Sequence, residues 1–239
     1  MTVDPTAMKR LALLAAAGTL LFALAGCFNP FSPLVSRIGG ISSPAPVPNT
    51  PANCVRLHEW CWKNRAAEEY RELFTDDYVF VFGLNDSAGQ PYRDRPWIRE
   101  DELTTATNAF VGGGDVPPAN KITINYDPNL ITFADVRPGK TNKWHRTIRT
   151  SVDLQVDAGE RGTLEVKGNA LFFMIRGDSA NIPPELVARG FKRDSTRWWI
   201  ERWEDETLSE GAALRPASPP EGFGPVARTS MGRLKEYWR

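Results

Sequence analysis

The stretch from Asn64 to Phe82 constrains the fold most, because it couples an amphipathic helix directly to a buried strand. Asn64 is predicted to cap the helix, since its side-chain oxygen can accept from the free amides of the first turn. Apolar residues then recur at helical spacing up to Phe74, with charged residues between them. The polar run from Thr75 to Asp77 is predicted to end the helix, because such side chains compete for their own backbone. The aromatic and β-branched run from Tyr78 to Phe82 predicts a strand buried on both faces.

Two further helices and a series of strands flank this stretch. Thr50 and Pro51 open a first helix, with proline in the first turn, where its missing amide costs nothing. The segment from Trp97 to Val111 predicts a third helix. From Lys121 the apolar period changes to two, which predicts long strands that end in a tryptophan-rich one at Arg197 to Glu204. Three helices followed by such strands indicate an α+β fold, with a curved antiparallel sheet packed on the three N-terminal helices.

The charge balance excludes one class of partner. The chain has 239 residues, its 29 basic and 29 acidic side chains cancel, and 41% of its residues are hydrophobic. A hydrophobic fraction of this size is typical of a globular protein. Since there is no net positive charge, there is no electrostatic basis for binding nucleic acid, and no nucleic-acid partner is expected.

The N-terminus has the features of an export signal. A positive start at Lys9 and Arg10 is followed by an apolar run, from Leu11 to Ala25, that is shorter than the roughly 20 residues a spanning helix takes. The run ends in Leu24-Ala25-Gly26-Cys27. This order resembles the bacterial lipoprotein signal, which implies cleavage before Cys27 and a lipid on its sulfur. Residues 1–26 are therefore predicted to be a signal peptide, with Met8 as the true start.

The lipid on Cys27 implies an address and a partner. We expect the protein to be anchored to a bacterial membrane and to face the periplasm. Phe28, not an aspartate, follows the cysteine, and in enteric bacteria such a residue permits transfer to the outer membrane. Residues 27–49 are rich in Pro and Ser and are predicted to form a tether between the lipid and the domain.

Two passages carry a resemblance to a fold family. The joint from Leu73 to Phe80 and the closing strand from Trp198 to Asp205 resemble parts of the nuclear transport factor 2-like superfamily, which includes the SnoaL-like and ketosteroid isomerase-like proteins. The resemblance implies a cone-shaped sheet wrapped around the helices, with a pocket at its open end. It covers a domain over residues 50–210, which leaves residues 211–239 as a Pro/Gly-rich tail. One such fold hosts many activities, so the function has to come from the site.

The candidate site residues lie on the first two helices. In the isomerases of the superfamily an aspartate base sits on the first strand, and the same count places Phe82 there, which cannot take a proton. His58 lies on the apolar face of the first helix, where a titratable group costs free energy unless it is hydrogen-bonded. It is a candidate acid/base or ligand anchor, with Tyr70 as a second catalytic candidate and Trp62 as a second ligand-binding one. The alternative is a core histidine bonded to a carbonyl or carboxylate.

A metal site on the first helix is a weaker hypothesis. Cys54, His58 and Cys61 share one helical face, and sulfur and imidazole suit zinc or copper. One helix gives poor tetrahedral geometry, however, and the sequence offers no clear fourth ligand, so neither a metal nor a cofactor is expected. The two cysteines would lie about 10 Å apart along a helix, too far for a disulfide. They are predicted to be buried thiols.

The last two long strands are apolar on both faces. Phe172 and Phe173 point to opposite sides of one strand, while Trp199 and Trp203 are predicted to share a face of the next, opposite Trp198 and Ile200. Only one set can line the cone, so the other needs a cover. A homodimer through the sheet and the C-terminal tail are the two candidates.

These features favour a membrane-anchored periplasmic binding or interaction module, with a small hydrophobic molecule as a candidate ligand. The alternative is a pocket enzyme, isomerase-like, dehydratase-like or a hydrolase, that uses His58.

Overall fold

The computed structural model describes residues 43–84, 86–113, 115–207 and 226–239. Cys27, the signal segment and most of the tether lie outside these residues. From Pro44 onward the chain forms one compact unit. The helices are α1 (Pro51–Asn64), α2 (Ala67–Arg71), α3 (Arg99–Val111), α4 (Pro184–Ala188) and α5 (Met231–Tyr237), with two 3-10 helices at Ser87–Tyr92 and Gly159–Arg161. The strands are β1 (Phe74–Val81), β2 (Trp97–Ile98), β3 (Lys121–Tyr126), β4 (Thr132–Ala134), β5 (His145–Asp157), β6 (Thr163–Arg176), β7 (Trp198–Thr207) and β8 (Val226–Thr229).

The strands form one curved sheet whose inner side faces α1, α2 and α3, which confirms the α+β class. The order is β2-β1-β7-β6-β5-β3, with β4 beside β5 and β8 beside β6. The sheet is mixed and not wholly antiparallel as expected, because β1 runs parallel to β7 and β8 runs parallel to β6. Both parallel pairs join strands that are distant in sequence, so no local sequence pattern predicts them.

The first helix is capped as predicted, whereas the joint that follows differs. The Thr50 side chain accepts from the amide of Asn53. Asn64 does not cap α2, because its amide donates to the carbonyl of Trp60 in the last turn of α1. Arg65 then reverses the chain with a left-handed φ of 53°. The second helix is consequently short.

Strand β1 begins earlier than the sequence pattern indicates. Thr75 to Asp77 lie within the strand, not in a turn that ends the helix. The cause is pairing with β7, since Phe74 lies opposite Ile200 and the amide of Ile200 donates to the carbonyl of Leu73. Tertiary hydrogen bonds therefore override the local preference of these side chains for a turn.

A β-bulge in β7 changes which tryptophans share a face. Met174 pairs with Ile200 and Phe173 pairs with Arg202, so Glu201 is an extra residue in β7. Ile200 and Trp203 therefore both face the main core, and Trp199 points to the other side. The prediction that Trp199 and Trp203 share a face is wrong for this reason.

The segment between β6 and β7 covers the outer side of the sheet at this point. Ile175 and Trp199 pack there against Ala180 and Leu186, the latter on α4. Nearby, the guanidinium of Arg137 lies 3.9 Å from the ring centroid of Phe173. The apolar residues that suggested a homodimer thus have intramolecular partners, and the dimer itself stays a prediction.

The C-terminal residues 226–239 contribute to the main core. Strand β8 pairs with β6, and Met231 and Leu234 of α5, together with Trp238 just after it, are buried in the main core. Lys235, on the same side of α5, has no solvent-exposed surface. None of the described helices combines the length and hydrophobicity that crossing a bilayer takes.

Candidate functional site

His58 lies at the centre of the core with a fully buried ring. The ring centroids of Tyr70 and Trp203 are 5.3 and 5.0 Å away, and that of Trp62 is 6.5 Å away. Phe172 on β6 closes another side at 5.3 Å. The structure thus brings the three candidates His58, Tyr70 and Trp62 together in the buried core of the domain.

A chain of hydrogen bonds passes through His58. The hydroxyl of Tyr126 lies 2.9 Å from Nδ1, and the hydroxyl of Tyr70 lies 3.3 Å from Nε2. Tyr70 also donates to Oε1 of Glu102 over 2.7 Å. Because the Tyr70 proton is committed to the carboxylate, Nε2 of His58 must donate to Tyr70 and Nδ1 must accept from Tyr126. His58 is therefore hydrogen-bonded as a neutral imidazole.

The protonation of His58 agrees with this geometry. Burial and, to a lesser degree, the charge of Lys235 hold the pKa of His58 well below its usual value. A neutral imidazole between two hydroxyls can pass a proton along the chain. It cannot act as a general acid near neutral pH in this arrangement.

Glu102 on α3 is the polar centre of the site, and the sequence analysis did not select it. Its carboxylate accepts from Tyr70, from the hydroxyl of Tyr78 at 3.3 Å and from the indole N–H of Trp97 at 3.1 Å. Lys235 is the fourth donor. The sequence feature that could have identified Glu102 is its spacing, because it lies one turn before Ala106 and two turns before Ala109 on the apolar face of the helix.

Lys235 on α5 is the cation of the site and was also missed. Its Nζ forms an ion pair with Oε2 of Glu102 and lies 3.9 Å from the ring centroid of Phe80 and 4.1 Å from that of Trp203. Burial lowers the pKa of Lys235 from its usual value, and the Glu102 carboxylate opposes that shift. The signal was again spacing, because Lys235 follows Met231 by one helical turn on the apolar face of α5.

Two buried carboxylates hold the start of α5 in place. Asp86 accepts from the hydroxyl of Ser230 at 2.6 Å, and Asp205 accepts from the amide of Gly232 at 3.2 Å. Burial raises the pKa of Asp205 to about 6. The fit is tight, since a Cβ on Gly232 would lie 2.3 Å from Oδ2 of Asp86 and 2.5 Å from Cδ1 of Phe82.

Phe82 occupies the place at which the resemblance would put a catalytic aspartate. Its ring stacks on Tyr92 with centroids 4.8 Å apart and packs against Trp97 at 5.7 Å. This position is therefore part of the packing between the first strand and the 3-10 helix at Ser87–Tyr92. It supplies no proton-transfer group.

The two cysteines are buried free thiols. Burial raises the pKa of Cys54 to about 12, and its Sγ lies 3.5 Å from the carbonyl oxygen of Trp198, to which it can donate. Burial likewise raises the pKa of Cys61. Across the described ranges, no three His, Cys, Asp or Glu side chains are placed to share a metal ion. Cys54, His58 and Cys61 thus share a helix without forming a ligand set there.

A separate groove of about 640 Å³ runs along the outer side of α3. Arg99 lines it, pairs with Glu185 at 2.5 Å and donates to the carbonyl of Arg71 at 2.9 Å. The groove mixes both signs of charge, with Asp76 and Glu100 on its walls.

No protein-family model matches the chain, and no curated protein gives a significant match. Several solved structures are similar in architecture. A conserved protein from Planctomyces limnophilus is 14% identical with a TM-score of 0.42, over 66% of this chain and 92% of its own. A type 2 hexachlorocyclohexane dehydrochlorinase is 10% identical with a TM-score of 0.43, over 71% and 90%. An NTF2-like protein of unknown function from Shewanella baltica is 7% identical with a TM-score of 0.35, over 66% and 91%. Likenesses this distant do not bear on the ligand or the chemistry.

Proposed function

We propose that this protein is a ligand-binding module, held by a lipid on Cys27 at the periplasmic side of a bacterial membrane, the outer membrane given Phe28. The lipoprotein-like order of charge, apolar run, small residues and cysteine supports the anchor. The tether predicted over residues 27–49 would let the domain reach ligands near the membrane surface.

One observation carries the binding role, namely the convergence of fixed polar groups on Glu102. Tyr70, Tyr78 and Trp97 donate to this carboxylate from three different elements of the domain. Convergent polar groups inside aromatic walls are typical of small-molecule sites. In the described structure the last helix of the chain closes this interior polar site, so a ligand would enter when α5 moves.

Native mass spectrometry of protein extracted from its own membrane tests the binding role. We expect a small-molecule adduct that is lost in Glu102→Gln and retained in Glu160→Gln, which changes an exposed glutamate on the β5–β6 hairpin in the same way. An adduct that both variants retain would place the ligand elsewhere. Protein with an unmodified mass throughout would contradict the proposal.

Membrane fractionation tests the anchor. Cys27→Ser should leave the protein uncleaved or release it from the membrane fraction, because serine cannot form the thioether. Two acyl chains hold a protein firmly where one does so only marginally. Cys61→Ala, which removes a buried thiol instead, should stay in the membrane fraction. Wild-type protein recovered entirely in the soluble fraction would refute the anchor.

A pocket enzyme that uses His58 with Tyr70 is the second candidate, and the hydrogen-bond chain from Tyr126 to Glu102 favours it. A general base works best with a pKa near the ambient pH. The pKa of His58 should therefore be measured by NMR in Gly232→Ala, a substitution whose added Cβ would clash with Asp86 and Phe82 and is expected to loosen the start of α5. A value that rises towards neutrality in the open site supports catalysis. A value that stays below about 5 excludes His58 as the base.

A further inference from the structure

The interior polar site is assembled without α5. Its acceptor, Glu102, lies on α3, and its three neutral donors come from α2, β1 and β2. All of these groups are buried and held by the main core. A carboxylate preorganised in this way keeps one oxygen directed at a cation, whichever molecule supplies that cation.

Two aromatic faces complete the site. Phe80 on β1 and Trp203 on β7 flank the ammonium of Lys235 at 3.9 and 4.1 Å from their centroids. Aromatic faces beside a carboxylate are the surroundings in which proteins recognise ammonium ligands. The indole N–H of Trp203 is buried and has no acceptor within the described residues.

A fully buried lysine is rare in a protein core. Burying an ammonium requires the loss of its hydration, and an apolar side chain of similar volume packs the same space without that loss. Lys235 also belongs to the last helix, which is held at its start by Asp86 and Asp205. Its ammonium group lies between the Glu102 carboxylate and the rings of Phe80 and Trp203, in the place that the ammonium of a bound ligand would take.

We propose that Glu102, Phe80 and Trp203 form a binding site for a primary alkylammonium ligand, and that Lys235 is its built-in occupant. This inference rests on the proposed function, because it names the ligand class of the same interior site. A primary ammonium fits better than a quaternary one, since the ion pair with Glu102 requires a donating N–H. A ligand then binds by replacing Lys235 as α5 leaves.

Chemical complementation in full-length Lys235→Ala tests the site. The substitution removes a propylammonium group, so n-propylammonium is the matched probe and 1-propanol is its neutral counterpart of equal heavy-atom number. We expect titration calorimetry to give propylammonium at least about a tenfold lower Kd than 1-propanol, from the charge-assisted bond and the cation–π contacts. Tetramethylammonium should bind no better than 1-propanol, and Lys235→Met, which keeps the space filled, should bind neither.

The carboxylate is tested in the same background. Glu102→Gln added to Lys235→Ala should abolish the preference for propylammonium, whereas Glu160→Gln should leave it intact. If Lys235→Ala does not fold alone, refolding with propylammonium but not with 1-propanol supports the site, and refolding with neither overturns it. Equal binding of the two probes, or a preference that survives Glu102→Gln, also overturns it.

The source of the ammonium is distinguished in the double variant Gly232→Ala/Lys235→Ala, which lacks the Lys235 side chain and crowds the start of α5. If Nα-acetyl-lysine amide binds with a Kd close to that of propylammonium, the natural source of the ammonium is a lysine side chain of a peptide. If its Kd is much higher, the natural source is a small free amine. If propylammonium fails while a copurified adduct still depends on Glu102, the ligand class is wrong and the binding role stands. If the adduct is absent and propylammonium binds, the site is real and the proposed function fails.

Discussion

Removing either partner of the buried Glu102–Lys235 pair should destabilise the protein unequally. In Glu102→Gln, Lys235 keeps only the faces of Phe80 and Trp203, and an uncompensated buried charge typically costs about 3–5 kcal/mol. In Lys235→Met, the carboxylate keeps its three neutral donors, so we expect a loss of about 1–2 kcal/mol. The double variant should be more stable than Glu102→Gln alone, because it leaves no buried charge.

Urea unfolding of the four proteins, followed by tryptophan fluorescence, measures this as a double-mutant cycle. The expected coupling energy is about 2–3 kcal/mol in favour of the pair. The matched control is Arg149 with Glu206, an ion pair whose side chains are 55% and 37% exposed, for which at most about 1 kcal/mol is expected. A coupling energy for the buried pair no larger than that of the control would refute the buried ion pair.

Three further predictions concern the core and the contact between Asp205 and the start of α5. Phe74→Ala should cost about 3–5 kcal/mol in urea unfolding, because the ring is fully buried, whereas Phe133→Ala, at a side chain 53% exposed, should cost less than about 0.5; equal losses would contradict the packing. Burial raises the pKa of Asp205 from a usual 3.8 to about 6. The protonated side chain therefore contributes stability that is fully present below about pH 4 and is lost as the pH rises through 6. The stability of wild type relative to Asp205→Asn should therefore fall by up to about 3 kcal/mol between pH 4 and pH 7, and a flat difference would exclude the raised pKa. Cys54, with its pKa raised to about 12, should react with a thiol reagent only after urea is added, and prompt labelling in buffer would show that it is exposed.

Most elements follow from local patterns. The helical period and the proline at Pro51 located the first helix, and the alternation after Lys121 located the long strands to within a few residues. The burial of Phe74, Tyr78 and Phe80 also follows from the sequence, since large aromatic residues at regular spacing have few other stable positions.

The errors share one physical cause, which is that partners distant in sequence override local preference. Strand β1 begins at Phe74 because β7 pairs with it, and the faces of β7 are set by the extra residue Glu201. An inserted residue in a strand has no compositional signature, so the alternation of the tryptophans was extrapolated through it.

The sequence by itself determined the α+β class and the buried joint around Phe74. It also identified His58 as a polar residue on an apolar helix face and therefore as a candidate site residue. Only the tertiary structure decided what surrounds His58. Glu102 and Lys235 are 133 residues apart, and the position of each on the apolar face of its own helix does not identify the other as its partner. Glu102 is held by neutral donors from α2, β1 and β2, whereas Lys235 is buried where the Glu102 carboxylate neutralises its charge. This pairing exists only once α5 has packed against the sheet.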